Sequence, residues 1–185
     1  MQMWEIYPVR GFFALILPFM VVIYLGFLIG LRPPRPVVWA SLAGGLLMAV
    51  INMLVDLLAY YAHWWHYTLN DLILHLPLPF YATMLLYYGS LVYLLIWRFW
   101  RGRGRWFALL LLIGTPLFGI ARDLYGWLTQ KSFTQWENVP AALVVTIVMW
   151  LVMFYGGYWL FQRFAPARVV EQAAEEVTDK GNVPA

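Results

Sequence analysis

Five long apolar runs, separated by short segments rich in proline, glycine and arginine, constrain this chain more than any motif it carries. They fall at roughly residues 11 to 31, 37 to 62, 79 to 100, 106 to 128 and 140 to 162. Crossing the hydrocarbon of a bilayer takes about 20 apolar residues at 1.5 Å of rise each, and every run meets that length. The runs are largely continuous, without the alternation that barrel strands need. The expected fold is therefore an all-α integral membrane protein of about five transmembrane helices, occupying residues 1 to 164. Only 11% of the residues are charged, against roughly 25% in a soluble domain. With 63% hydrophobic residues in a chain of 185, no aqueous fold of this size hides its apolar surface.

The connections fit the same reading. Arg32-Pro33-Pro34-Arg35-Pro36 cannot continue a helix, because proline lacks the N–H and restricts the residue before it. Arg101-Gly102-Arg103-Gly104-Arg105 forms a second short basic loop. Residues 165 to 185 turn polar and are expected to form a flexible tail. The start of the chain lacks a basic n-region, so the first run is expected to be a retained helix and not a signal peptide.

Orientation follows from the basic residues. Arg32, Arg35, Arg98, Arg101, Arg103, Arg105, Arg163, Arg168 and Lys180 fall on one side, against Arg10 and Lys131 on the other. That asymmetry puts the N-terminus outside and the C-terminal tail in the cytoplasm. The absence of cysteine excludes disulfides, thiolate nucleophiles and sulfur-ligated metals. A net charge of +3, spread beside the apolar runs, is a topology signal and not a nucleic-acid footprint. The expected partners are the lipid bilayer and either an apolar small molecule or other membrane subunits, in the plasma membrane of a prokaryote.

Three ionisable residues interrupt the apolar helices: Asp56, Arg122 and Asp123. A charge at mid-bilayer costs about 2.5 to 3.5 kcal/mol and usually faces a partner or a watery cavity. Helices 2 and 4 run in the same direction, so both aspartates should lie within about 10 Å of the outer boundary at 1.5 Å per residue. An Asp56 to Arg122 pair across the bundle is one expectation. The cluster is either a structural tie between helices 2 and 4, or a site that binds a polar group or moves a proton, or a set of side chains snorkelling to the interface.

On helix 2, Asn52, Asp56, Tyr60 and His63 share one face and form a polar stripe. Beyond it come Trp64, Trp65, His66 and Tyr67, then Asp71 and His75. His63 and His66, three apart on a helix, would suit a shared metal, a tetrapyrrole or acid/base work. They equally suit an aromatic belt at the bilayer interface, and no cofactor follows from the sequence. Tyr88 and Tyr155, with Tyr81, Tyr87, Tyr93 and Tyr158, either present hydroxyls to a long apolar ligand or fill space. Ala40, Ser41, Gly44 and Gly45 give small-xxx-small spacings for close packing, within the chain or between two copies. Pro18 and Pro116 are expected to disturb helices 1 and 4.

An offset of 67 residues matches Asp56-Leu57 to Asp123-Leu124 and Tyr88-Gly89 to Tyr155-Gly156, as though helices 2 and 3 were duplicated in helices 4 and 5. The aspartate on an apolar helix, the following Trp65 and Tyr67, and Leu76-Pro77-Leu78-Pro79 opening the next helix resemble the small polytopic proteins of carotenoid synthesis, the lycopene cyclase domain and carotenoid hydratase group. Asp123, Trp136, Pro140 and Trp150 supply a similar second copy. The resemblance implies repeated helical units and an isoprenoid substrate. It departs at one point: those cyclases carry acidic residues after the helix-opening proline, where this chain has Phe80-Tyr81 and Ala141-Ala142. Asp56 and Asp123 would then have to supply the acid, with His63 or His66 exchanging protons with the outside. The sequence leaves two other functions open, a non-catalytic or pigment-binding subunit of a larger complex and a small transporter or proton path.

Overall fold

In the computed structural model, residues 8–100, 102–130 and 133–165 are described. They are mostly helical, and five helices are long and apolar enough to cross a membrane: α1 (Val9–Leu31), α2 (Arg35–Tyr61), α3 (Leu78–Phe99), α4 (Arg105–Thr129) and α5 (Val139–Phe164). Every boundary lies within two residues of the sequence expectation. The tail beyond Ala165, and with it Arg168 and Lys180, lies outside the described residues, as do Arg101 and Lys131.

Local chemistry sets the ends. Arg32 closes α1 in the left-handed conformation, with φ of 45°, and its N–H returns to the Leu28 carbonyl at 2.9 Å. Pro34 is extended, and Pro36 sits in the first turn of α2, where its missing N–H costs nothing. Asn138 caps α5 through its side chain, which accepts from the Ala141 N–H at 3.3 Å. Pro18 follows a π-helical turn at Phe12–Ile16, the wider winding expected where a proline ring crowds the carbonyl four residues before it. A second π-helical stretch, Met84–Leu91, lies in α3.

Helix α2 packs against α3 on one flank and α5 on the other; α4 closes the ring between α3 and α5, and α1 lies outside against α3. The small-residue stripe of α2 makes both central contacts, so its role is packing within the chain. A Cβ on Gly44 would lie 2.5 Å from the Gly157 carbonyl oxygen of α5. A Cβ on Gly89 of α3 would lie 2.5 Å from the Cα of Gly45, and one on Gly45 would run into the Leu85 carbonyl. Bare backbone lets three helices touch here.

Two buried polar links lock the contact. Ser90 of α3 bonds to Tyr24 of α1 at 2.8 Å and to Ser41 of α2 at 2.9 Å. The Tyr93 hydroxyl donates to the Phe154 carbonyl of α5 at 2.8 Å. No buried side-chain nitrogen or oxygen among the described residues lacks a partner, as an apolar surrounding demands.

The fold is not entirely helical. At the end of the bundle where α2 and α4 finish, β1 (Trp65–Tyr67) pairs antiparallel with β2 (Thr134–Trp136), Trp65 opposite Trp136 and Tyr67 opposite Thr134. The two segments follow the two aspartates related by the 67-residue offset. Nearby, Asp71 accepts from the backbone N–H groups of Val9 and Arg10 at 3.2 and 2.9 Å, holding the start of α1 to the β1–α3 link. The outward helix faces carry large apolar side chains, among them Phe19, Val22, Leu110 and Trp159, each more than 60% exposed.

Replacing Gly45 by alanine should destabilise the protein by about 1–3 kcal/mol, the usual cost of overpacking. Gly26→Ala, where a Cβ meets nothing within 4 Å, should leave thermal unfolding in detergent unchanged. Equal melting temperatures for the two variants would show that α2 and α3 do not depend on this approach.

Candidate functional site

Beneath the strand pair the four-helix ring opens into a cavity of ≈ 510 Å³. Its polar wall holds Asn52, Asp56, Arg122, Asp123 and Thr146, and Trp65, Tyr67, Phe80, Tyr81, Phe133 and Trp136 supply aromatic walls. Both aspartates of the apolar helices and the arginine thus face one space.

Asp56 lies on α2 a little over one turn before its end and is 4% exposed. Its Oδ1 accepts from the Trp65 indole N–H at 3.0 Å. Its Oδ2 accepts from the Tyr67 hydroxyl at 2.9 Å and the Tyr81 hydroxyl at 2.8 Å. Three neutral donors, from β1 and from α3, therefore converge on one carboxyl, and among the described residues no cation forms an ion pair with it. One turn below, the Asn52 amide reaches the Met149 sulfur of α5 at 3.2 Å. Tyr67 stands in the strand, outside the helices. Removal of its hydroxyl from water and the adjacent Asp56 carboxylate hold its phenol well above the ordinary 10.0, so it remains a neutral donor.

The expected Asp56 to Arg122 pair does not form. Arg122 turns to its own neighbour: Nε and Nη2 donate to Asp123 Oδ1 at 2.9 and 2.7 Å, and Nη1 donates to the Tyr88 hydroxyl at 3.2 Å. Its guanidinium carbon lies 5.4 Å from the ring centres of both Tyr88 and Trp150, a cation–π position. The other Asp123 oxygen accepts from the Trp150 indole N–H at 2.7 Å. That contact relies on Gly119, one turn below Asp123 on the same face of α4, because a Cβ there would collide with the indole ring. The Arg122–Asp123 pair consequently ties α4 to α3 and α5, not α4 to α2.

His63 and His66 do not sit together on a helix. Helix α2 ends at Tyr61, His63 is a left-handed turn residue with φ of 54°, and His66 lies in β1. Both Nδ1 atoms meet Glu137, from His63 at 3.2 Å and from His66 at 2.6 Å, so the pair grips a carboxylate in the link from β2 to α5. Among the described residues no group of three or more histidine or acidic side chains is arranged to hold a metal ion. Tyr60 is also away from the cavity, stacked on His75 with ring centres 3.9 Å apart. Tyr88 reaches the cavity only through Arg122, and Tyr155 turns to the Leu112 carbonyl at 3.3 Å. Of the residues expected at the site, Asp56, Asp123, Asn52, Arg122, Trp65 and Tyr67 line the cavity; Tyr60, His63, His66, Tyr88 and Tyr155 do not.

Sequence reasoning passes over Tyr81 as a partner of Asp56, and over Thr146, Met149 and Glu137. Comparison of the chain with protein-family models, with curated proteins and with solved structures finds no match.

Two outcomes test that geometry. Trp150→Phe removes the indole N–H from Asp123 and should cost about 1.5–3 kcal/mol, as for a hydrogen bond to a charged group. Gly119→Ala should act through the same contact, so the double variant should lose much less than the sum of the singles in thermal unfolding; simple additivity would separate the two residues. The second outcome concerns Glu137, whose carboxyl is held below its ordinary 4.5 by the hydrogen bonds from His66 and then His63. A depressed carboxyl contributes stability that is complete above its ordinary value and is lost as pH falls through the depressed one. Hydrogen exchange at Trp65–Tyr67 and Thr134–Trp136, corrected for the intrinsic rate, should therefore speed up below about pH 4.5. In Glu137→Gln the clasp is already weakened, and that pH dependence should be absent.

Proposed function

We propose that this chain is an integral membrane protein that binds an apolar, isoprenoid-type ligand in the cavity below the strand pair, with Asp56 presented to it as proton donor. The membrane reading rests on five apolar helices of sufficient length and on outward faces far more apolar than a water-exposed surface tolerates. The distribution of arginine and lysine supports an external N-terminus and a cytoplasmic tail; on this reading, in a prokaryotic plasma membrane, the cavity and the strand pair lie toward the outer side.

One observation carries the ligand reading: a cavity of ≈ 510 Å³, walled by aromatic rings, is lined by a carboxyl whose partners among the described residues are all neutral. That size suits a small apolar molecule. In its protonated form Asp56 has one hydrogen to give. Transferred to one carbon of a carbon–carbon double bond, it leaves positive charge on the other carbon, among aromatic faces and beside the new carboxylate, both of which stabilise a cation. Loss of a proton from a neighbouring carbon back to Asp56 completes an isomerisation or ring closure without any net change in the protein. Arg122 keeps Asp123 paired, which leaves Asp56 as the proton-active member of the two.

Titration of the detergent-purified protein with geranylgeraniol should produce a saturable change in tryptophan fluorescence, since Trp65 and Trp136 line the cavity. Thr146→Phe, which fills the polar wall, should weaken binding at least about tenfold, equivalent to 1.4 kcal/mol. No saturable change in the wild type would overturn the proposal. Where turnover of an isoprenoid is observed, Asp56→Asn should lower its rate by about 10²-fold or more with the probe still bound; an undiminished rate would take the acid role from Asp56. An absorption band in the visible, beyond the tryptophan and tyrosine envelope, would identify the bound molecule as a polyene.

A further inference from the structure

A second space adjoins the first and changes what the site can hold. Between α1, α3 and α4 runs a groove of ≈ 540 Å³, lined by Met20, Leu91, Leu95, Leu111, Gly114 and Phe118 among others. It is almost purely apolar, and it opens between helices and not at the strand pair. Two links connect it to the cavity. Thr83 belongs to both walls. Tyr88 lines the groove while its hydroxyl holds Arg122, which lines the cavity, at 3.2 Å. Along α3 the groove extends from Thr83 to Leu95, about 18 Å at 1.5 Å per residue.

We infer that the two spaces form one site for a long-chain lipid with an uncharged end: the end lies beside Asp56 in the cavity, and the tail leaves past Thr83 and lies in the groove between α1, α3 and α4. This rests on the cavity reading above and adds the shape and charge of the ligand. The shared Thr83 wall argues for one occupant, because a chain too long for the cavity meets an adjoining apolar groove in which its tail can lie. The charges argue for an uncharged end. Two carboxyls and one guanidinium face the cavity, and the guanidinium already donates two hydrogen bonds to Asp123. A phosphate-bearing end would meet more negative than free positive charge.

The test uses the full chain in lipid nanodiscs and three probes: geraniol, geranylgeraniol and geranylgeranyl diphosphate. Gly114 faces the groove, and a Cβ there meets nothing within 4 Å, so Gly114→Trp starts from an open position and puts its ring into the groove. Gly30→Trp on α1, equally open, is the control. The expected result is that Gly114→Trp weakens geranylgeraniol at least about tenfold, leaves the short geraniol within about twofold and melts at the wild-type temperature, while Gly30→Trp changes neither probe. Wild type should prefer the alcohol to the diphosphate. Unchanged geranylgeraniol affinity in Gly114→Trp would overturn the shared site while leaving the cavity reading intact, and would mean that ordinary bilayer lipid fills the groove. Tighter binding of the diphosphate would overturn the uncharged end. Failure of wild type to bind any of the three would remove the cavity reading itself.

Discussion

The upper end of this protein is organised by the need to satisfy one buried carboxyl. Asp56 lies in an apolar helix, where an unpartnered polar group costs several kcal/mol, and its three partners come from outside α2. Trp65 and Tyr67 reach it from β1, and Tyr81 from the first turns of α3. These hydrogen bonds bring the β1 segment back over the bundle and set the side chains of the strand toward the interior. Once β1 is held there, β2 can pair with it and the cavity acquires a roof. Glu137 and the two histidines clasp the same pair from its exposed side.

The cavity exists because the helices are drawn together below and held apart above. In the lower half, Gly44, Gly45, Gly89 and Gly157 put backbone against backbone, and Tyr93 fills the remaining corner with its hydroxyl on the Phe154 carbonyl. Close-packed interiors leave few voids, and none is needed there. In the upper half the contacts between elements are made by long side chains: indole to carboxyl, phenol to carboxyl, guanidinium to phenol. Each bridges several ångströms, so the space between the backbones cannot close. Gly119 is the exception that supports the rule, admitting the Trp150 ring so that the indole can reach Asp123.

Much of this was readable from the residues, and the part that was not has a physical explanation. Helix number and boundaries follow from uninterrupted apolar runs and from prolines that cannot continue a helix. Asp56, Arg122 and Asp123 stand out because charge is rare in such runs, and Trp65 and Tyr67 because they follow the first aspartate closely. The strand pair was invisible: each strand is three residues long, and the two are far apart in the chain, so no alternation builds up. Tyr81 was hidden by abundance, since one tyrosine among twelve carries little signal until its partner is known. The histidines misled because helical spacing was extended past the end of α2. His63 takes a left-handed turn conformation, and the ring that the spacing placed beside His66 on a helix meets it instead across a shared glutamate.

The choice of partner for Arg122 sets the charge arrangement of the cavity. Had it bridged to Asp56, the cavity would hold an ion pair between α2 and α4. By turning to the adjacent Asp123, and by lying against both the Tyr88 and Trp150 rings, it neutralises one carboxyl within a single helix. The other is left with donors that carry no charge. Hydrogen bonds from indole and phenol orient Asp56, and both tyrosine hydroxyls are able to rotate and accept as well as donate. Two aspartates on similar helices thus receive unlike surroundings: Asp123 takes a guanidinium and an indole, Asp56 an indole and two phenols, so the ion pair lies on α4 while the α2 carboxyl meets the cavity among uncharged donors.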